Sequence, residues 1–275
     1  GVVKILDALQ SEWEGSVKFI FQPAEEQFPG GANQMINEGV LENPTIEKMF
    51  GQHVFPEMEV GKVGFCPGKY MASADEIEIY ITGKGGHAAL PKTYNNPIIA
   101  ASKLILDLEK HFSHHKDVPA VFAIGFVNAN GHCNVIPDKV NLKGTFRTIN
   151  ESFRDLAHVE MQKIATKIST EYDINIDFKI HKGYPSLHND KFLTSQAINY
   201  AEQYLGKDNV INLSVRMTAE DFAYYCNKVP SCFYRLGTSN SDMGITHGLH
   251  TSRFDVDEKA LKIGMGLMSY LAIKN

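Results

Sequence analysis

No CxxC pair occurs in this chain, and its four cysteines (Cys66, Cys133, Cys226 and Cys232) are scattered over 275 residues. That scarcity excludes a disulfide-stapled secreted scaffold, and reduced thiols in a cytoplasmic protein are the expectation. No apolar run reaches the roughly 20 residues that a membrane-spanning helix needs, and no signal peptide is visible. Positive charge is in deficit. Against 32 Asp and Glu stand 27 Lys and Arg, for a net charge of −5, with no basic stripe of the kind that binds nucleic acid. Internal repeats, low-complexity tracts and an HExxH motif are also missing. What is present is a globular composition, 43% hydrophobic and 21% charged, enough to build one large domain or two ordinary ones.

The first residues lack an initiating Met and an N-cap. Val2, Ile5, Leu6, Leu9 and Trp13 recur at helical spacing from the start. This predicts a helix entered partway, and a chain that is the C-terminal part of a longer protein. Val17–Phe21 is an apolar run bounded by Gly15 and Pro23, and it predicts a buried strand. Glu25 and Glu26 follow it directly. Neighbouring side chains in a strand point to opposite faces, so the two carboxylates share a site only where the backbone leaves the strand. A helix is expected near residues 33–39, then a second buried strand over Lys48–Val54 with His53 near its end.

From Asp75 the pattern changes. Asp75–Thr82 alternates polar and apolar residues, and Gly83–Pro91 is a glycine-rich loop carrying His87. Asn96-Pro97 opens a helix. Strands are predicted over 118–127 and 139–148, a long amphipathic helix over 151–172, and a strand over 174–180. The order β-α-β-β-α-β is that of a ferredoxin-like split βαβ unit. An α/β pattern then resumes, with a helix over 189–205, a helix start at 219–225, a buried strand at 231–237 and a final helix capped by Asp255 with Glu258. The fold class is therefore α/β: a catalytic domain with a central, mostly parallel sheet, formed by residues 1–69 and 186–275. An inserted α+β domain over 70–185 interrupts it.

The flanking domain offers Glu25, Glu26, His53, His247 and His250. Carboxylate and imidazole suit zinc, manganese or cobalt, and two such ions roughly 3.5–4 Å apart can polarise a carbonyl and generate hydroxide. The bland alternatives are solvated glutamates in a turn, a core histidine and a hydrogen-bonded His247-x-x-His250 loop.

Seven segments occur in order: Phe21-Gln22-Pro23-Ala24-Glu25-Glu26, Gly51-Gln52-His53-Val54, Gly83-Lys84-Gly85-Gly86-His87-Ala88, Asn134-Val135-Ile136-Pro137-Asp138, Gly144-Thr145-Phe146-Arg147-Thr148, Ala219-Glu220-Asp221-Phe222 and Leu249-His250-Thr251-Ser252-Arg253-Phe254. In this the chain resembles the M20 metallopeptidase superfamily over essentially its whole length. The similar branch is that of the amidohydrolases, which includes hippurate hydrolase, N-acyl-amino-acid deacylases and N-acetyldiaminopimelate deacetylase.

The resemblance implies metal-dependent hydrolysis of N-acyl-amino acids by a metal-bound hydroxide. Glu25 is then the general base, and Glu26, His53 and His250 are ligands of a pair of divalent ions, zinc or manganese, with nickel or cobalt as alternatives. His87 would reach across a homodimer formed through the inserted lid to stabilise the oxyanion. Asn134 and Arg147 would hold the substrate, the alternatives being a turn cap for Asn134 and a cross-sheet ion pair for Arg147. Glu220 and Asp221 are expected as supporting or helix-capping groups. The family's His-x-Cys-Gly-His-Asp-x-His-type segment is missing, so only part of its ligand set is here. Two other readings stay open: a dipeptidase or aminopeptidase of the same superfamily, and a non-catalytic binding protein.

Overall fold

The computed structural model describes residues 1–112 and 118–275. Two compact units divide them. The first comprises Gly1–Tyr70, Leu187–Val215 and Asp221–Asn275, and the second Met71–Ser186 and Arg216–Glu220. In chain order the first unit supplies helices α1 (Val2–Ala8) and α2 (Gly31–Asn37) and strands β1 (Met49–Glu59), β2 (Val63–Phe65) and β3 (Gly68–Met71). The second unit follows, with β4 (Asp75–Thr82), β5 (Gly86–His87), α3 (Pro97–Phe112), β6 (Ala120–Asn128), β7 (Val135–Ile136), β8 (Lys139–Thr148), α4 (Glu151–Tyr172) and β9 (Asn175–Lys182). The chain returns to the first unit with β10 (Leu187–Asn189), α5 (Lys191–Leu205), β11 (Val210–Asn212), α6 (Ala223–Cys226), β12 (Ser231–Ser239) and α7 (Lys259–Lys274).

The sheet of the first unit runs β1-β12-β2-β11. It is mixed: β1–β12 and β2–β11 pair parallel, and β12–β2 pair antiparallel. Every residue of β12 is buried, as expected of a strand covered on both faces. On one face Leu193, Ala197 and Ala201 of α5 and Ala260, Leu267 and Leu271 of α7 join Val63, Phe65, Cys232, Tyr234 and Leu236 in one core. Helix α5 is bounded as its sequence dictates. Asp190 accepts the Leu193 N–H at 2.7 Å, and Gly206 ends the helix at φ +86°.

The sheet of the second unit runs β6-β8-β4-β9, all antiparallel. This is the split βαβ order the alternation predicted. Ile77, Ile79 and Ile81 are fully buried with Leu104 and Leu108 of α3 and Met161 and Ile168 of α4. A one-residue slip would turn all three isoleucines to the open face, at about 1.5–3 kcal/mol each. Register is therefore firmly set. On the edge strand β6, pairing jumps from Ile124–Gly144 to Phe126–Lys143, so Gly125 is a bulge.

Arg154 and Asp75, each 1% exposed, pin α4 to the first residue of β4. Arg154 Nε donates to Asp75 Oδ2 at 3.0 Å and its Nη2 donates to Oδ1. His158 Nε2 lies 2.6 Å from Oδ2, and the Gly183 N–H donates to Oδ1 at 3.1 Å. Burial alone would push the Asp75 carboxyl up. The hydrogen bonds from His158 and Arg154, the Arg154 charge and the Gly183 amide outweigh it and hold Asp75 at about 2.

Three expectations are corrected. Val17–Phe21 is no strand: it has no ladder partner among the described residues, Phe21 is 83% exposed and Phe19 37%. An apolar run marks a strand only when another backbone lies beside it. The segment 219–225 is helical only from Ala223, after a turn. The last helix carries no Asp255–Glu258 capping box. It begins at Lys259, whose N–H goes to Asp257 Oδ1 at 2.9 Å, while Asp255 Oδ1 takes the Val256 amide. Asp257 wins because it is buried and also bonded to Asn240.

Candidate active site and metal centre

The turn at residues 23–31 is built by close backbone packing. A Cβ on Gly31 would lie 1.9 Å from the Pro23 carbonyl oxygen, so only glycine lets α2 start against that carbonyl. Ala24 stands at φ +60°, a left-handed conformation uncommon for a residue with a side chain. That twist takes the chain out of its extended path and places Glu25 and Glu26 in a turn. Such local strain persists where the surroundings over-determine it.

Asp221 is what surrounds it. Gln22 Nε2 donates to both Asp221 oxygens, at 2.8 and 2.7 Å, and the Ala32 N–H donates to Oδ2 at 3.0 Å. The Asp221 backbone N–H in turn donates to the Glu25 carboxylate. One aspartate thus ties together the residue before Pro23, the start of α2 and Glu25. Asp221 is 1% exposed, and its side chain does not cap α6 but accepts an amide in the first turn of α2, a helix-capping role exercised from far along the chain. The carboxylate oxygens of Glu25 and Asp221 approach within 4.8 Å. Burial, the Asp221 charge and the Glu26 charge, in that order, push Glu25 above the ordinary carboxyl value, against the Asp221 amide and His250. Crowded carboxylates of this kind are what a divalent cation neutralises, and carboxylate with imidazole is a donor set that fits one.

Glu26 and His250 are brought together. His250 Nε2 lies 3.7 Å from Glu26 Oε1, both side chains about three-quarters exposed (74% and 75%). His250 also sits at φ +58°. His53 lies on β1 opposite Arg235 of β12. Its Nδ1 is 2.7 Å from the Val54 carbonyl, which leaves Nε2 as the nitrogen without a proton, the one able to ligate. A cavity of about 500 Å³ opens beside the turn, lined by Ala24, Gln27, Phe28, Asn33 and Gln34 among others. Glu38 lines it but Glu25 and Glu26 do not, so it neighbours their carboxylates without containing them.

The remaining candidates lie in the second unit. His87 is on β5, paired with Val135 of β7. Its Nδ1 accepts the Ala89 N–H at 3.1 Å, so the neutral ring carries its proton on Nε2 and presents a donor. Asn134 is exposed in the turn before β7, and its carbonyl accepts the Ala88 N–H at 3.0 Å. Arg147, on β8, donates to the Met217 carbonyl at 3.3 Å and forms no ion pair among the described residues. This corrects the alternative of an acid across the sheet. Burial pushes its guanidinium below the ordinary value. Sequence reasoning assigned Gln22 no task. Its signal was its place, a carboxamide ending an apolar run with only a loop to bond.

The model of Peptidase family M20/M25/M40 matches residues 1–274. N-acetylcysteine deacetylase of Bacillus subtilis is 35% identical over 275 residues, covering 99% of this chain and 70% of that protein. IAA-amino acid hydrolase ILR1-like 4 of Arabidopsis thaliana is 33% identical, covering 100% of this chain and 63% of the relative. Among solved structures, the YXEP protein of Bacillus subtilis, a dinuclear metal binding peptidase from the M20 family, superposes with a TM-score of 0.78 at 31% identity. That match covers 99% of this chain and 68% of that one.

Proposed function

The chain belongs to peptidase family M20/M25/M40, and from that premise we propose that it hydrolyses the amide bond of N-acyl-amino acids, releasing a carboxylic acid and a free amino acid. Kinship with a deacetylase at 35% identity supports the substrate class. The observation that carries the mechanism is Glu25, withdrawn from water and crowded by Asp221 and Glu26 so that it holds a proton more readily than a free carboxylate. It takes the proton of the attacking water and returns it to the leaving amine. Glu26, His53 and His250 hold divalent ions, for which zinc and manganese suit the donors. When bound, such ions polarise the amide carbonyl and acidify water.

His87 donates from Nε2 to the developing oxyanion, assisted by Asn134, and the Arg147 guanidinium meets the carboxylate of the amino-acid part. The second unit is a lid and dimerisation domain, and His87 serves the site of the partner subunit. The bulged edge of β6, with Phe126 45% and Val127 59% exposed, supports pairing there.

The test is hydrolysis of N-acetyl-amino acids and of dipeptides with divalent metal supplied. We expect the former to be cleaved, and Glu25→Gln to lower kcat about 10²–10⁴-fold with metal content unchanged. Cleavage of dipeptides alone, or appreciable turnover by the variant, overturns the reading. Dimerisation is tested by mixing. Glu25→Gln and His87→Ala are each inactive alone, and mixed dimers regain activity if His87 acts in trans. No regain removes that role.

A further inference from the structure

Three backbone carbonyls converge on one cation that the chain itself supplies. Lys18 Nζ donates to the carbonyl oxygens of Val40 at 3.0 Å and Pro44 at 3.3 Å, and to that of Glu42. An ammonium carries three protons and no acceptor, so three carbonyls match it one for one. Asn43, between Glu42 and Pro44, stands at φ +48°, a left-handed bend that asparagine tolerates better than most residues. The clasp closes a long excursion of the chain. Between Lys18 and Val40 lie the exposed Phe21, the Glu25–Glu26 turn and helix α2. Farther in, Asp221 ties Gln22 to the Ala32 amide. The excursion is thus held at its neck by Lys18 and at its middle by Asp221. The limb that enters it, Val17–Phe21, has no ladder partner among the described residues, so no sheet fixes its path there.

We propose that Lys18 is a positioning residue for the Glu25–Glu26 turn: its ammonium, seated among the carbonyls of Val40, Glu42 and Pro44, fixes the limb that delivers the two carboxylates. This role rests on the reading of Glu25 as base and Glu26 as metal ligand. Lys18 acts through the chain, by way of Phe19–Ala24, and its own three donors are already spent on the carbonyls. Carboxylates brought together repel one another, and a turn that carries them keeps its shape when both of its limbs are tied. The limb beyond the turn is tied by α2, whose Ala32 amide reaches Asp221 and whose Gly31 lies against the Pro23 carbonyl. Lys18 ties the limb before it. A loosely held ligand set binds its ion more weakly, so the clasp should be felt as metal affinity.

The experiment compares the native protein with Lys18→Ala and Lys18→Arg, first by chymotrypsin under native conditions and then by titration with manganese. We expect cleavage after Phe19 and Phe21 to be about tenfold faster in Lys18→Ala, as the loss of hydrogen bonds from a charged donor allows. n-Propylammonium, the fragment that alanine lacks, should restore the slow rate, and n-propanol should not. Lys18→Arg keeps the charge but not the three converging protons, and should fall between the two. Manganese affinity should drop about tenfold in Lys18→Ala, with the number of ions per chain unchanged, and should recover with the amine. A chain that is merely less stable would lose stoichiometry instead of affinity. Cleavage of Lys18→Ala at the native rate, no response to the amine, or unaltered manganese affinity would each overturn the proposal. A native protein that binds no manganese would instead overturn the reading of the metal ligands, and the cleavage rates would still decide whether Lys18 holds the turn.

Discussion

Asp75 in the second unit and Glu25 in the first are both carboxylates withdrawn from solvent, and they are driven in opposite directions. Asp75 is met by a guanidinium, an imidazole and a backbone amide, and falls to about 2. Glu25 is met by two other carboxylates and rises. The first arrangement spends all its hydrogen bonds on holding β4 to α4. The second gathers carboxylates whose mutual repulsion outweighs the Asp221 amide and His250, which a fold tolerates where a cation or a proton is to be bound. The difference separates a carboxylate whose bonds hold the fold together from the one proposed above as general base.

The largest break in that comparison comes from removing the partner of the satisfied charge. Arg154→Ala leaves Asp75 buried without its guanidinium, held only by His158 and the Gly183 amide, and should cost about 3–5 kcal/mol in urea unfolding. Glu25→Gln, by contrast, should leave stability equal to or above that of the native protein, since it removes a crowded charge. Acid sharpens the contrast. Because the folded-state value of Asp75 lies below its ordinary 3.8, its contribution is full above that value and is lost as pH falls toward 2, about 2 kcal/mol in all. Glu25, raised, has the opposite sign: its ionisation opposes folding as pH climbs through and above the ordinary carboxyl value. Asp75→Asn should therefore flatten the acid limb of the stability–pH curve, and an unchanged limb would assign acid unfolding elsewhere. The smallest effect is expected at Gln22→Ala. It removes the Nε2 bonds to Asp221, which keeps the Ala32 amide, and should be read as faster proteolysis within residues 22–32 before any change in global unfolding.

The two regions also differ in how plainly their sequences speak. In the second unit, Asp75–Thr82, Lys139–Thr148 and Glu151–Tyr172 are found with the bounds their periodicity predicts. Each of these segments buries one face against a neighbour supplied by the same continuous stretch of chain, so local pattern and tertiary packing agree. The first unit is assembled from three separated stretches. There Val17–Phe21 has strand composition without a strand's partner among the described residues, and Asp221 bonds to Gln22, far away along the chain. The left-handed turn at Ala24 carries no compositional mark, since alanine is not a residue that announces it. The Glu25–Glu26 pair was legible as chemistry, and its neighbours were not, because contacts set by folding leave no period in the sequence.

The parallel pairing of β1 with β12, Met49 opposite Ser231, has a consequence for how the protein is made. A chain emerging from the ribosome presents β1 long before β12 exists. At synthesis rates of about 5–20 residues per second, β1 stays unpaired for roughly ten to forty seconds. All the named helices and strands of the second unit lie in its long stretch, Met71–Ser186, and can form within that interval. During biosynthesis, then, the hazard lies in the waiting strand, and His53 reaches its place beside Arg235 only near the end of translation.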